Sequence, residues 1–441
     1  MRAERLVIGV LFWGFFVGNI VAICWIWYAN HNLPFRNTGE LVSRTGGLTG
    51  LLGAYLALIQ VLLLARLPWL ERLAGFDRLT VWHRWNGHLC LDLVLAHTVL
   101  AIWGYSLGNH TSFLDESWTM VGRGAFPGMV TATIGTFLFV VVVVTSVVIV
   151  RRRLSYELWY AVHLAAYAGI ALAWFHEIPV GGDLALSPRP ADYWRALFFG
   201  TIALLAFRVL SPLAGAFRYR LRVAEVLTEG PTVTSLRITG RGLDRIGARP
   251  GQFFLWRFVT PGFWWTAHPF SLSEAPDGHS FRISAKAAGD HTRRMGSIPV
   301  GTRVIAEGPF GAFTDAVRRR DKVLLIAGGI GITPVRALAE SMQGDVVVVH
   351  RVMSKDDVVF ADELAGLAAD RGLELLYAVG DHASPEGRNL LSAAHIRELV
   401  PDVAEREVYL CGPPAMIAAI ERNLRQAGVR RRHLHVERFA L

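Results

Sequence analysis

Six stretches of the chain, approximately residues 6–28, 46–66, 83–107, 127–150, 156–178 and 193–213, are apolar over a length that can cross a bilayer. Crossing roughly 30 Å of hydrocarbon takes about 20 helical residues. A lone strand in lipid leaves its backbone unbonded, so even the valine run Val140–Val144 is expected to be helical. The first stretch follows Arg2 and Arg5, as the core of a signal peptide would. Its apolar run of 23 residues is longer than the roughly 7–15 of such a core, and no small-x-small cleavage pattern follows. It is expected to stay on the chain. Charged residues make up only 18% of the 441, against about a quarter in soluble domains, which excludes disordered and collagen-like classes. Cys24, Cys90 and Cys411 are far apart and form no CxxC, so neither a zinc motif nor a disulfide framework is indicated.

The net charge of +9 reads as topology and calls for no nucleic acid. With the N-terminus inside, the inner segments hold Arg2, Arg5, Arg66, Arg72, Arg78, Arg151, Arg152, Arg153, Arg218, Arg220 and Arg222. The outer loops hold only Arg36, Arg44, Arg123 and Arg189. Both termini are therefore expected in the cytoplasm, on a multi-pass protein of the cell membrane (plasma or inner).

Ionisable residues inside a span are costly and point to function. Span three carries His83 and His97, and span five carries His163 and His176. The separations of 14 and 13 residues amount to about 20 Å along a helix. One such histidine is ordinarily explained by a hydrogen bond to a neighbouring helix. Two levels, each offering one imidazole from each helix, suit two haems with bis-histidine ligation. Fourteen residues return to within roughly 40° of one face, whereas thirteen miss by about 140°. Span five therefore needs either a distortion, with Gly169 the candidate, or a different approach to each haem. His88 and Asp92 share the face turned away from these histidines, where an i,i+4 pair is expected. His31 and His110 are expected to be solvated in outer loops.

After about residue 216 the apolar runs shorten and turns appear. Arg220–Val226, Thr232–Thr239, Gln252–Phe258, Phe270–Ser273, Ser280–Ala285 and Thr302–Glu307 read as strands of a small antiparallel barrel over 216–318. It contains His268-Pro269-Phe270-Ser271, then Lys286 and Gly289-Asp290-His291-Thr292. The latter opens a short helix whose free N–H groups can hold a pyrophosphate. Residues 319–441 read as a parallel sheet wound with helices, with strands at Lys322–Ala327, Val346–His350, Leu373–Val379, Glu407–Cys411 and His433–Phe439. The first strand leads into Gly328-Gly329-Ile330-Gly331-Ile332-Thr333-Pro334, where Thr333 is expected to cap a helix and Pro334 to take its first position. Pro334 stands in place of the third glycine of the ordinary dinucleotide fingerprint. Arg351, Cys411-Gly412-Pro413-Pro414 and the end of the chain fall at the ligand-binding ends of strands.

Together these residues resemble the ferric reductase and NADPH oxidase superfamily over nearly the whole chain. The resemblance implies a six-helix transmembrane di-haem bundle (1–215), an FAD-binding β-barrel (216–318) and an α/β NAD(P)H-binding domain (319–441). His268–Ser271 looks like the family's flavin motif, Gly328–Pro334 like its nucleotide loop, and Cys411–Pro414 like its nicotinamide-side motif. Glu437-Arg438-Phe439 resembles its near-terminal aromatic segment, which stacks on the flavin, so Phe439, Cys411 and Glu437 are implied at the catalytic centre. His83, His97, His163 and His176 are implied as ligands of two haems b. Arg84 and Arg208 are candidates for haem propionates, with snorkelling the alternative, and Arg44 resembles a family arginine near the outer haem.

The implied activity is electron transfer from NADPH or NADH through FAD and the two haems to an outer acceptor. Oxygen, giving superoxide, leads. A ferric chelate or a periplasmic partner protein is the alternative, and short outer loops favour a small acceptor over a protein. Arg351, with Ser354 and Lys355, can meet a 2′-phosphate, which puts NADPH ahead of NADH; a solvated loop is the alternative. No EF-hand loop, proline-rich docking segment or long tail before the first span is present, so constitutive activity is expected and no protein partner is evident.

Overall fold

The computed structural model describes residues 2–31, 34–74, 76–123, 126–151, 153–180, 182–186, 188–381 and 383–439. Arg152, one of the arginines that set the expected orientation, lies outside them. The chain forms two compact units, Met1–Val209 and Leu210–Leu441.

The first unit is built on α1 (Arg2–Asn30), α2 (Thr38–Leu63), α3 (Phe76–Asn109), α4 (Met129–Ser146), α5 (Tyr156–Glu177) and α6 (Pro188–Tyr219). Each contains a segment long and apolar enough to cross a membrane. Their ends follow local chemistry as well as hydropathy. α2 begins eight residues before its apolar run because Asn37 caps it, its side chain accepting from the Glu40 N–H. α4 stops at Ser146, since Val147 is extended.

Helix contact in lipid rests on close packing of small residues. A Cβ on Gly39 of α2 would lie 2.8 Å from the Gly104 carbonyl of α3, and one on Gly46 would lie 2.9 Å from the Ala101 nitrogen. α4 and α5 meet in the same way, where a Cβ on Gly135 would lie 2.8 Å from the Gly169 carbonyl. Gly169 thus serves packing. α5 is a continuous helix, and the distortion proposed there is absent.

The second unit starts with β1 (Arg222–Gly230), β2 (Val233–Thr239), β3 (Phe253–Phe258), β4 (His268–Ser271), β5 (Ser280–Lys286) and β6 (Val304–Phe310). They form two antiparallel sheets, ordered β1-β2-β5 and β4-β3-β6. Isolated bridges Arg222↔Arg303 and Leu272↔Ile283 join the sheets at both seams, closing a six-stranded barrel. Alternate residues such as Leu236, Ile238, Phe254, Trp256, Phe281 and Ile283 fill it.

Then come β7 (Lys322–Gly328), α7 (Ile332–Ser341), β8 (Asp345–Val352), α8 (Ala361–Arg371), β9 (Glu374–Val379), β10 (Glu407–Gly412), α9 (Pro414–Gln426) and β11 (Leu434–Arg438). The sheet is parallel with order β11-β10-β7-β8-β9. The chain winds one way from β7 to β9 and the other way through β10 and β11. The switch point lies between β7 and β10, and ligands of such sheets bind in the crevice beyond it.

Candidate functional site

The switch-point crevice is walled by two glycine-rich turns pressed together. A Cβ on Gly331 would lie 2.5 Å from the Cys411 carbonyl, and one on Gly328 would lie 2.2 Å from Met416 Cε. Gly329 adopts φ +52 and Gly412 φ +158, both in the region that favours glycine. Such turns leave backbone N–H groups at the start of α7 open to a phosphate. Two expectations are corrected here. Thr333 does not cap the helix: its hydroxyl donates to the Ile330 carbonyl at 3.1 Å. Pro334 is the third residue of α7, not the first. A proline is tolerated there because that N–H has no partner within the helix.

Nothing in residue type or spacing singles out His350. Fully buried at the end of β8, it donates Nε2–H to the Gly329 carbonyl at 3.2 Å and so props the nucleotide loop from behind. Arg351, expected to face a 2′-phosphate, is turned elsewhere. Its guanidinium donates to the carbonyls of Ala378 (3.3 Å), Gly380 (2.6 Å), Gly387 (3.4 Å) and Val352, tying β8 to the end of β9. Lys355 remains exposed beside it.

Cys411 pairs in register with Glu437, and Phe439 packs on the core cluster that includes Cys411. The three residues assigned to the catalytic centre therefore gather at one end of β10 and β11. The Cys411 side chain is nonetheless fully buried, and burial, with the Glu437 carboxylate, raises its thiol well above the ordinary range. It stays a protonated core side chain, so a part in chemistry falls to its backbone and not its sulfur. Gly412 and Pro413 carry the chain from there into α9.

In the barrel, His268-Pro269-Phe270-Ser271 is strand β4, paired with β3 as Trp256↔His268 and Phe253↔Ser271. The His268 and His291 rings are 3.6 Å apart between centres, and His268 Nε2 bonds Thr266 Oγ1 at 2.8 Å. Burial, then His268 and Arg294, lowers the His291 pKa to about 4. A neutral His291 can lie against His268 without charge repulsion, the two ring planes inclined by 32°. The helix expected to hold a pyrophosphate is a single turn, Asp290–Arg293. Thr292 Oγ1 already accepts from the N–H groups of Ala288 and Gly289, both at 3.0 Å. Asp290 pairs with Arg293. Lys286 Nζ lies 3.3 Å from Asp357 and shares a narrow cleft with Gly329 and Ile330.

A buried charge network also escaped the sequence reading. Arg282 of β5 donates to both Glu363 oxygens at 2.7 Å, and Arg336 Nε lies 2.8 Å from the same carboxylate. Both arginines reach the Ser273 carbonyl, at 3.2 and 3.3 Å. Glu340 accepts from Arg336 and from the Ala275 N–H. The segment after the flavin-like motif is thus clamped to α7 and α8.

In the first unit, His83 and His163 have ring centres 6.0 Å apart, and His97 and His176 have theirs 6.1 Å apart. The Nδ1 partners are the carbonyls of Gln60 (3.3 Å), Gly46 (2.8 Å) and Ala173 (2.5 Å) for His83, His97 and His176. His163 Nδ1 meets Ser146 Oγ at 3.3 Å, and that hydroxyl itself donates to the Val142 carbonyl. A carbonyl only accepts, so the rings carry their proton on Nδ1 and keep the Nε2 lone pair. Hydrogen bonding of the second nitrogen is how metal-bound imidazoles are oriented. Gly50 is part of this setting, since a Cβ there would lie 2.6 Å from His97 Nδ1. Asn86 supports His83 from α3, donating to the Leu56 carbonyl and to Gln60 Oε1 at 2.9 and 2.8 Å.

Other expectations change. His31 is not simply solvated: Nδ1 donates to the Trp27 carbonyl at 2.6 Å and lies 3.4 Å from Asp183. Arg44 pairs with Glu40. Arg208 donates to the Tyr167 hydroxyl at 3.2 Å, while Arg84 is exposed, as is His110. His88 and Asp92 are both exposed and form no hydrogen bond or ion pair with each other among the described residues.

Comparison with known proteins finds a family match in each unit. Residues 49–174 match a ferric reductase like transmembrane component, and 325–422 match an oxidoreductase NAD-binding domain. The glycine betaine monooxygenase reductase subunit of Chromohalobacter salexigens is 28% identical over 206 residues, 43% of this chain and 56% of that protein. The ferredoxin reductase component of 3-ketosteroid-9-alpha-monooxygenase from Mycolicibacterium smegmatis is 31% identical over 51% of this chain and 66% of its own length. The chain thus spans between about half and two thirds of these relatives. Among solved structures, the flavohem-like FAD/NAD binding domain of nitric oxide dioxygenase from Vibrio cholerae is 27% identical, covering 50% of this chain and 98% of that domain with a TM-score of 0.42. A ferric-reductase-like transmembrane component and an oxidoreductase NAD-binding domain on a single chain make this protein a member of the ferric reductase and NADPH oxidase superfamily.

Proposed function

We propose that the protein carries electrons from cytosolic NADPH or NADH through FAD and two haems b across the membrane to oxygen, giving superoxide outside. The observation that carries this reading is the matched pair of histidine pairs. Two imidazoles that ligate one metal through Nε2 at about 2 Å hold their ring centres roughly 6 Å apart. The separations of 6.0 and 6.1 Å fit that requirement at both levels. Among the described residues, two candidate protein ligands meet at each level, which suits a metal whose macrocycle supplies the other four. When bound, the flavin would split the two electrons of a hydride into single transfers and the haems would pass them on.

The chain's own residues bind and orient. The turns at Gly328–Gly331 and Cys411–Gly412 leave room for a nucleotide backbone, and His350 fixes their shape. The His268–His291 surface and the Arg282–Glu363 clamp hold the barrel face from which a flavin would meet that nucleotide. His83 with His163, and His97 with His176, would hold the two haems. At the outer end, Arg44 is paired with Glu40. A cation already neutralised in this way suits a small neutral acceptor such as oxygen better than an anionic ferric chelate.

The test uses purified protein in detergent with FAD, its haems reduced anaerobically by NADPH and then exposed to air. Reoxidation at about the rate of steady NADPH consumption, with superoxide trapped, is expected. Haems that stay reduced in air would exclude oxygen as the acceptor.

A further inference from the structure

The outward face of α3 carries a feature that the electron path does not use. Val81, Trp85, His88, Asp92, Leu95 and Val99 follow one another at alternating steps of four and three residues, and all are exposed. The opposite face of the helix is spent on α2, through Asn86, Cys90, His97 and Gly104. Asp92 lies 14 residues from Arg78 and 17 from Asn109, the ends of the span. At 1.5 Å per residue that is roughly 21 and 26 Å, near the middle of the bilayer.

A carboxylate facing lipid at that depth is costly, and such residues ordinarily find a partner. Arg84 can reach the inner surface along its own stem. A side chain as short as aspartate has no such escape, and His88 is only one turn away. A bond between the two within one helix would leave both facing lipid, and the structure does not form it.

We propose that this face is the interface of a homodimer, in which His88 of one copy bonds Asp92 of the other. Two copies in one membrane share an orientation, so a two-fold axis normal to the bilayer sets two α3 helices parallel. An interface of this kind is self-complementary: if residue i meets j, then j meets i. One donor and one acceptor a turn apart on the same stripe satisfy that condition, giving two symmetric pairs. The 4–3 spacing is that of a left-handed supercoil seam, and a polar pair within such a seam fixes its register. Trp85, Leu95 and Val99 would supply the packing above and below.

The experiment counts subunits of the full chain by single-molecule photobleaching in lipid vesicles over a range of protein densities. The parent chain is expected to be dimeric, and His88→Asp to dimerise at least tenfold more weakly because it sets carboxylates against each other. The exchange His88→Asp with Asp92→His keeps both pairs and should return dimerisation to within about threefold of the parent. A parent chain that is monomeric at every density, or an exchange no better than His88→Asp alone, overturns the proposal. Should His88→Asp fail to fold, Leu95→Cys in the otherwise unchanged chain provides the second arm. A short bismaleimide should link it into dimers beyond the level of the parent chain, and no added linkage would be equally fatal.

Discussion

At the scale of single residues, each membrane histidine is an ionisable group where few are tolerated, and the four come as two pairs at matching intervals. What the sequence hid was how they are held. The Nδ1 partners are backbone carbonyls on α2 and α5 and one serine, and nothing in residue type marks a carbonyl acceptor. His350 was missed for the same reason, since its partner is the carbonyl of a loop 21 residues away. Replacing His97 or His176 with leucine should remove the outer haem and leave FAD bound, read as one haem per chain in the pyridine haemochrome assay. Two intact haems in either variant would refute the ligand assignment. His350→Leu removes the donor to Gly329 without touching the crevice, so KM for NADPH should rise about 5- to 20-fold. That range matches the net worth of one buried hydrogen bond, about 1–2 kcal/mol. Steady-state kinetics with a soluble dye as acceptor would show it, and an unchanged KM would make His350 a passive core residue.

At the scale of elements, apolar length located six helices and period-two patterning located most strands, but ends and contacts followed other rules. Helix α2 starts at its cap, and α4 ends where Val147 turns extended. The 13-residue interval on α5 calls for either a distortion or a different approach at each level. The helix stays whole, and its two histidines meet their partners at different ring angles, 52° at one level and 35° at the other. Glycines on α2 form its packing surface against α3. Gly46→Val should therefore push α2 from α3, since even a Cβ would sit 2.9 Å from the Ala101 nitrogen, and it would displace the carbonyl that holds His97. Loss of the outer haem with the inner one retained is expected in the absorbance spectrum; full occupancy would show that the interface has slack. The Arg282–Glu363 clamp was invisible because its members lie 81 residues apart. Arg282→Ala leaves Glu363 and Glu340 sharing the single cation of Arg336 and should cost the second unit about 3 kcal/mol, as broken buried pairs do. Denaturant unfolding monitored by flavin release would measure it, and a loss below about 1 kcal/mol would mean that water screens the pair.

At the scale of the whole molecule, the order of spans, barrel and wound sheet was readable from texture alone, because lipid, barrel core and parallel sheet each impose a different hydrophobic period. The acceptor was not readable, since it depends on how a few outer side chains pair, as Arg44 does with Glu40. The second unit should respond to acid, and the sign follows from its buried groups. Burial lowers His350 to about 4, and burial with His268 and Arg294 lowers His291 to about 4, from an ordinary 6.5. The folded unit therefore refuses protons that the unfolded chain accepts, and the unfolded state binds more of them as pH falls. This contribution is fully present above about 6.5 and is lost progressively from there down to about 4. Glu363 is held below its ordinary 4.5 by Arg282 and Arg336 against the effect of burial, so its contribution disappears only below 4.5. A loss of stability beginning near pH 6.5 is thus a histidine signature, distinct from carboxylate loss at lower pH. Hydrogen exchange of the β7 and β8 amides in the full chain, corrected for intrinsic rates, should show protection falling from pH 6.5 to 4.5. His350→Gln, which cannot take up the proton, should flatten that limb while lowering protection at pH 7. A variant whose pH profile runs parallel to that of the parent would show that His350 is not one of the titrating groups.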